Sequence, residues 1–261
     1  MRAVNDASGD LALALELADL ADSITLGRYR AEDLRVETKP DRTPVTEADR
    51  AVEQAIRRQL AAVRPEDAVV GEEYGAGAKR ASGERRWIID PIDGTMSYMR
   101  GMPTWTTLIA LSVGDEIAVG VVSAPALPRR WWAGRGLGAF ADGARIGVSR
   151  ISRLADAMLT WSGIEDWDAI GRLDAILELG RRCWRSRGIG DAWQYMLVAE
   201  GVAEIALDPE VSIWDMAAPM VIVEEAGGRF TDLAGVRTPS GGDGIATNGL
   251  VHDAALAIVG R

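Results

Sequence analysis

Leu13, Leu17, Leu20 and Ile24 recur at helical spacing with Glu16, Asp19 and Asp22 between them, so the chain opens on an amphipathic helix. The apolar stretch 11–18 has the length of a secretion-signal core, but Glu16 interrupts it and Asp6, Asp10, Asp19 and Asp22 flank it. Residues 39–44 read as a loop, because Pro40 and Pro44 break any regular element. Thr46 then caps a second helix with Val52, Ile56 and Leu60 on one face. Val69 and Val70 make a short strand ending at Gly71-Glu72-Glu73, and Trp87-Ile88-Ile89 another that stops at Asp90-Pro91. Residues 106–113 and 117–124 are apolar and β-branched and are joined by Gly114-Asp115, the pattern of a hairpin. Trp131-Trp132-Ala133 carries the β pattern on toward a turn at Asp142-Gly143.

From about residue 150 helices and strands alternate. Residues 191–201 read as a helix, 203–207 as a strand, and 214–226 as a helix stopped by Gly227-Gly228. Pro219 kinks that helix if it lies beyond the first turn. Residues 245–247 form a last strand before a C-terminal helix. With no repeat, low-complexity tract or long linker, the chain reads as one compact unit. Its α+β half spans about 1–148 and carries an acidic turn; its α/β half spans about 149–261.

Composition narrows the chemistry. The 261 residues are 48% hydrophobic and 26% charged, which excludes wholesale disorder. There are 29 Lys and Arg against 39 Asp and Glu, a net charge of −10, so a nucleic-acid backbone is an unsuitable partner. No uncharged run approaches the roughly 18 residues of a membrane span. Cys183 is the one cysteine and His252 the one histidine. An intrachain disulfide and a Cys/His zinc site are therefore impossible, and a reducing cytoplasm is the expected compartment. Cys-dependent phosphatases place an arginine six residues after the cysteine, where this chain has Ile189. The chemistry is expected to run on carboxylates and hydroxyls, with Cys183 a buried small hydrophobe and His252 a surface residue at a helix start.

Asp90-Pro91-Ile92-Asp93-Gly94-Thr95 carries most of the information. A strand delivers two carboxylates and an intervening carbonyl onto one turn, an oxygen set suited to a hard cation such as Mg²⁺. Gly94 lets backbone N–H groups approach a phosphate. Aspartyl-phosphate enzymes use Asp-x-Asp-x-Thr, whereas the spacing here is Asp-x-x-Asp-x-Thr, which disfavours a covalent aspartyl intermediate. Glu72 and Glu73 follow a strand and also suit a solvated turn. Asp49, three residues after Thr46, fits a capping box, and Asp215 suits a helix start by complementing its dipole. The run Gly134-Arg135-Gly136-Leu137-Gly138-Ala139 matches a dinucleotide pattern, but no helix opens after it, so strand and turn is the reading.

Together, Gly71-Glu72-Glu73, the stretch Trp87 to Thr95, and Trp214-Asp215 with Glu225-Ala226-Gly227-Gly228 resemble the inositol monophosphatase family over nearly the whole chain. Lys39-Pro40-Asp41, residues 124–132 and residues 197–201 are most similar to its actinobacterial histidinol-phosphatase branch. The resemblance implies a layered αβαβα sandwich, a Mg²⁺ cofactor and a homodimer. It implies metal ligation by Glu72, Asp90, Asp93 and Asp215 with the Ile92 carbonyl, and orientation of an attacking water by Asp49 and Thr95. Glu72, Asp93, Gly94, Thr95, Met96, Arg187, Gly190, Asp191, Asp208 and Asp215 then fall at substrate-contacting positions. Asp191 equally suits a cap of the helix that follows it. The implied reaction is hydrolysis of L-histidinol phosphate to L-histidinol and phosphate, in histidine biosynthesis, by in-line attack of water. Inositol phosphate or another small metabolite is the alternative substrate, and an inactive metal-binding scaffold the alternative of another class. Ser97 and Tyr98 stand where the family usually has Asn and Phe, and Asp208 where it often has Glu.

Overall fold

Leu13, Leu17 and Ala21 are buried on one helix face and meet Val52, Ile56 and Leu60 of a second helix across the face of a sheet. The computed structural model describes residues 7–40, 42–76 and 85–260. Asp6 and Asp41 lie outside the described residues. Helix α1 (Ala7–Arg28) leads into a small hairpin, β1 (Val36–Thr38) and β2 (Pro44–Thr46), and then helix α2 (Glu47–Val63). The segment read as a loop thus gives its last residue to β2, where Pro44 takes the first position, one that proline tolerates.

The chain continues through β3 (Ala68–Gly71), β4 (Gly75–Ala76), β5 (Arg85–Asp93), the short helix α3 (Thr95–Met99), β6 (Thr106–Val113), β7 (Glu116–Ala124), β8 (Arg129–Gly134), β9 (Gly138–Ala141) and β10 (Ala144–Arg145). These strands form an eight-stranded sheet in the order β10-β9-β8-β7-β6-β5-β3-β4, antiparallel except for β3 beside β5. The glycine-rich run 134–139 is a strand-to-strand turn, as its context required.

A second sheet follows: β11 (Met158–Trp161), helices α4 (Ile164–Ala169) and α5 (Leu173–Arg182), β12 (Arg185–Gly188), α6 (Asp191–Ala199), β13 (Ile205–Asp208), α7 (Ile213–Glu225), β14 (Arg229–Thr231), β15 (Gly244–Thr247) and α8 (His252–Val259). Its order is β12-β11-β13-β15-β14. Helices α6 and α7 lie between the two sheets, and Trp167, Ile176, Leu179 and Val259 of α4, α5 and α8 cover the far face of the smaller one. The layers read αβαβα. Helix α7 is buried along most of its length, as a helix between two sheets must be. It packs so closely on β7 that a Cβ on Gly120 would meet Val221 Cγ1 at 2.6 Å and the Ala218 carbonyl oxygen at 2.8 Å. Pro219 lies well inside α7, and its missing N–H leaves the Asp215 carbonyl without its usual i+4 donor.

Two readings need correction. The strand of Trp87 does not stop at Asp90-Pro91 but runs on to Asp93 through an irregularity that accommodates the proline. His252 does begin a helix, but it is fully buried: its Nε2 lies 3.0 Å from Thr231 Oγ1 and its Nδ1 3.0 Å from Thr247 Oγ1. Burial pushes its pKa down to about 4, with Arg229 adding to the effect. Cys183 is a buried free thiol, as expected.

Candidate metal centre and active site

On a regular strand, residues three apart face opposite sides of the sheet. Asp90 and Asp93 are three apart, yet β5 pairs Asp90 with Leu108 and Asp93 with Thr106, so three steps on β5 answer two on β6. The extra residue is a bulge, and it returns both carboxylates to one side. Thr107 Oγ1 donates to the Pro91 carbonyl at 2.7 Å within it. Asp215 arrives from α7, where its Oδ2 accepts the Ser212 N–H at 2.6 Å in a capping box. One carboxylate oxygen from each of Asp90, Asp93 and Asp215 lies within 4.8 Å of the others.

Burial and neighbouring carboxylates dominate the electrostatics of the cluster. Burial, then the charges of Glu72, Asp93 and Asp215, holds Asp90 well above the usual carboxylate range. Burial, Asp191 and Asp215 do the same for Asp93, although Ala192 N–H at 2.7 Å and Thr106 Oγ1 at 3.0 Å both donate to its Oδ2. Asp215 is raised by burial to about 7, against the pull of the Ser212 N–H. Asp90 Oδ1 is buried with no hydrogen-bond partner. Three hard oxygen donors, one of them unpartnered, fit a divalent cation that prefers oxygen ligands.

Glu72 is not in that tight group. Its Oε1 lies 2.7 Å from Lys39 Nζ, which also reaches Glu73 at 2.6 Å. Burial alone would lower the Lys39 pKa, but the two glutamates outweigh it and raise it. Glu73 is pushed up to about 7 by burial, in spite of Lys39. Neither glutamate is the freely solvated turn residue that composition allows. Two residues after Asp93, Thr95 Oγ1 lies 3.0 Å from the Ile92 carbonyl oxygen and 3.3 Å from Asp49 Oδ1. Gly94 precedes α3 with φ 80°, and a Cβ there would meet Asp191 Oδ2 at 2.7 Å. The first N–H groups of α3, from Thr95 and Met96, have no intrahelical acceptor. The Met96 side chain is 63% exposed.

A cavity of about 390 Å³ extends from Asp93 and Asp215 past Gly190, Asp191 and Asp208. Burial raises Asp191 to about 6, with Asp166 adding to it, and raises Asp208 to about 6 against hydrogen bonds from Tyr195 and Gln194, each at 2.6 Å from Oδ2. Gly190, not Asp191, occupies the cap position of α6; Asp191 is its first helical residue, with φ 51°. Arg187 is not brought in: it lies exposed on β12 and its Nη1 donates to the Ser186 carbonyl. Sequence reasoning missed Asp166 and Glu210, which also line the cavity. Glu210 directly follows Asp208-Pro209, a turn signal after a strand; Asp166 carried no signal beyond its charge.

The model of the inositol monophosphatase family matches residues 7–260. The chain belongs to that family. The histidinol-phosphatase of Streptomyces coelicolor is 50% identical over 97% of this chain and 97% of its own length. The histidinol-phosphatase of Mycobacterium tuberculosis is 53% identical over 95% and 96%. Among solved structures, a Thermotoga maritima IMPase superposes with a TM-score of 0.86 at 31% identity, covering 96% of each chain. An inositol monophosphatase from Zymomonas mobilis gives 0.86 at 30% identity, covering 98% and 99%. The layered sandwich is thus the inositol monophosphatase fold, and the acidic cluster sits within a chain that resembles these phosphatases end to end.

Proposed function

We propose that this protein is a Mg²⁺-dependent phosphomonoesterase whose substrate is L-histidinol phosphate. The observation that carries the reading is one cavity with two chemistries. Asp93 and Asp215, which group with Asp90, line one part of it, while Asp166, Asp191, Asp208 and Glu210 line the rest, with no Lys or Arg among the described lining residues. Histidinol phosphate presents an ammonium and an imidazole beyond its phosphate, whereas inositol phosphates present only hydroxyls. Full-length identity of 50–53% to histidinol-phosphatases supports the same choice.

In this reading Asp90, Asp93, Asp215 and Glu72, with the Ile92 carbonyl, hold the divalent cation. When bound, it supplies Lewis-acid polarisation of the phosphoryl group and acidifies water. The remaining work falls to the chain's own groups. The Gly94–Met96 turn offers its free N–H groups to phosphate oxygens. Thr95 donates its hydroxyl proton toward Asp49, which leaves an oxygen lone pair to accept from the attacking water. Asp49, raised to about 6 by burial, has the basicity to take up that proton near neutrality. Asp191 and Asp208 face the alcohol half of the ester. The reading extends to a homodimer in the cytoplasm; among the described residues no helix is long and apolar enough to cross a membrane.

The test is phosphate release from histidinol phosphate, inositol 1-phosphate, a neutral sugar phosphate and a nucleotide, each with Mg²⁺ and with excess chelator. Histidinol phosphate is expected to give the highest kcat/KM, and chelator to abolish turnover reversibly. Preference for inositol phosphate would move the substrate, and undiminished hydrolysis in chelator would remove the metal. Sedimentation velocity tests the dimer.

A further inference from the structure

Glu53 is a carboxylate with no exposed surface, one turn after Asp49 on α2, among Val52 and Ile56 of the apolar face. Charged side chains are almost never fully buried unless paired, so its partners define its purpose. Its Oε2 accepts the Glu73 N–H at 2.8 Å and its Oε1 the Tyr74 N–H at 3.3 Å. Arg57, one further turn along, donates Nε to the same Oε1 at 2.7 Å and Nη2 to the Gly75 carbonyl at 2.6 Å. Gly71 makes room for this arrangement: a Cβ there would meet the Glu53 carboxylate at 2.2 Å. Two successive turns of α2 therefore reach two different segments proposed to serve the acidic centre. Asp49 reaches Thr95, and Glu53 grips the backbone of the turn that carries Glu72.

We infer that Glu53 is a positioning residue that fixes the Glu72-Glu73-Tyr74 turn against the metal centre, with Arg57 holding its carboxylate in place. The inference rests on Glu72 being a ligand, as proposed above. The base of the turn is held by the pairing of Gly71 with Gly75 and by the Glu72 N–H to the Ile89 carbonyl at 3.2 Å, and Lys39 bridges the Glu72 and Glu73 carboxylates. Without Glu53, the amides of Glu73 and Tyr74 lose their buried acceptor, and the tip of the turn is held only by its paired base and by Lys39, neither of which fixes those two amides. The Glu72 carboxylate then spreads over positions, and each unproductive one lowers cation affinity. Partners that orient a ligand typically contribute 10–100-fold to metal affinity.

The experiment compares wild type, Glu53→Ala, Glu53→Gln, Gly71→Ala and Glu72→Gln, each first checked for folding by near-UV circular dichroism. Mg²⁺ affinity is measured by calorimetry without substrate, and amide exchange at Glu73 and Tyr74 is measured without metal. Glu53→Ala is expected to weaken Mg²⁺ binding 10–100-fold and to speed exchange at those two amides while leaving mid-helix α2 amides protected. Glu53→Gln keeps one acceptor and should fall between. Gly71→Ala, which displaces the carboxylate without altering it, should reproduce the loss. If Glu72→Gln weakens binding and Glu53→Ala does not, the positioning inference is wrong. If Glu72→Gln itself leaves affinity unchanged, the proposed ligand set fails instead, whatever the exchange data show. Should Glu53→Ala fail to fold, Gly71→Ala and Glu53→Gln carry both readouts.

Discussion

Thr95 Oγ1 stands 3.3 Å from Asp49 Oδ1, and this contact ties the first turn of α2 to the first residue of α3. The other oxygen of Asp49 accepts the Thr46 N–H at 2.8 Å and the Thr46 hydroxyl at 2.5 Å. A helix cap and a proton relay are therefore not competing explanations of Asp49. Each uses a different oxygen of one carboxylate, and the cap holds the other oxygen in position.

Asp49→Asn removes the base and keeps an oxygen for either partner. The expected outcome is a fall in kcat of roughly 10²–10⁴-fold with KM little changed. A residue that only capped α2 would show normal turnover and a stability loss of about 0.5–2 kcal/mol. Thermal melting and turnover on the same preparation separate the two.

The parts of this site that sequence reveals are the local ones. Asp90 to Thr95 is a continuous run, and Thr46 with Asp49 is a three-residue cap, so spacing alone exposes them. The bulge was hidden because it is a property of two strands: only the pairing of Asp90 with Leu108 and Asp93 with Thr106 discloses the extra residue. His252 was misplaced for a similar reason, since its burial depends on Thr231 and Thr247 in β14 and β15. Arg187 looks like a substrate contact by position in the chain, but β12 is an edge strand and leaves it outside the cavity lining. Asp166 and Glu210 meet the cavity from separate segments, a convergence no spacing encodes.

The raised carboxyls set a sign for stability against pH. Asp49, Asp191 and Asp208 lie near 6 and Asp215 near 7 in the folded protein, above the ordinary carboxyl value near 4, and Asp90 and Asp93 are raised as well. The folded state thus binds more protons than the unfolded one between about pH 4 and 7, and their contribution to stability is lost as pH rises through that window. His252, lowered to about 4, acts the other way: its contribution is lost as pH falls from about 6.5 toward 4. One histidine is outweighed by six carboxyls. In chelator, Tm is expected to fall between pH 5.5 and 8, and saturating Mg²⁺ should raise Tm more at pH 8 than at pH 5.5. A chelator-treated Tm that climbs toward pH 8 contradicts this account of the cluster.

Asp191 offers the sharpest test of substrate choice, and its backbone dictates which substitution to use. With φ 51° it sits in the left-handed region, which Asp and Asn tolerate and most residues do not. Asp191→Ala would confuse lost charge with backbone strain at the start of α6, whereas Asp191→Asn removes the charge and keeps the conformation. A charge-assisted hydrogen bond contributes roughly 1.5–3 kcal/mol, equivalent to about ten- to a hundred-fold in affinity. KM for histidinol phosphate is therefore expected to rise by about that factor in Asp191→Asn, with KM for a neutral sugar phosphate nearly unchanged. Part of any common change belongs to Asp93, whose charge Asp191 opposes and whose Oδ2 binds the next residue's N–H, so the ratio of the two KM values is the quantity to compare. Equal rises on both substrates would assign Asp191 to the architecture of the α6 terminus and leave the cationic end of the ester to Asp166, Asp208 and Glu210.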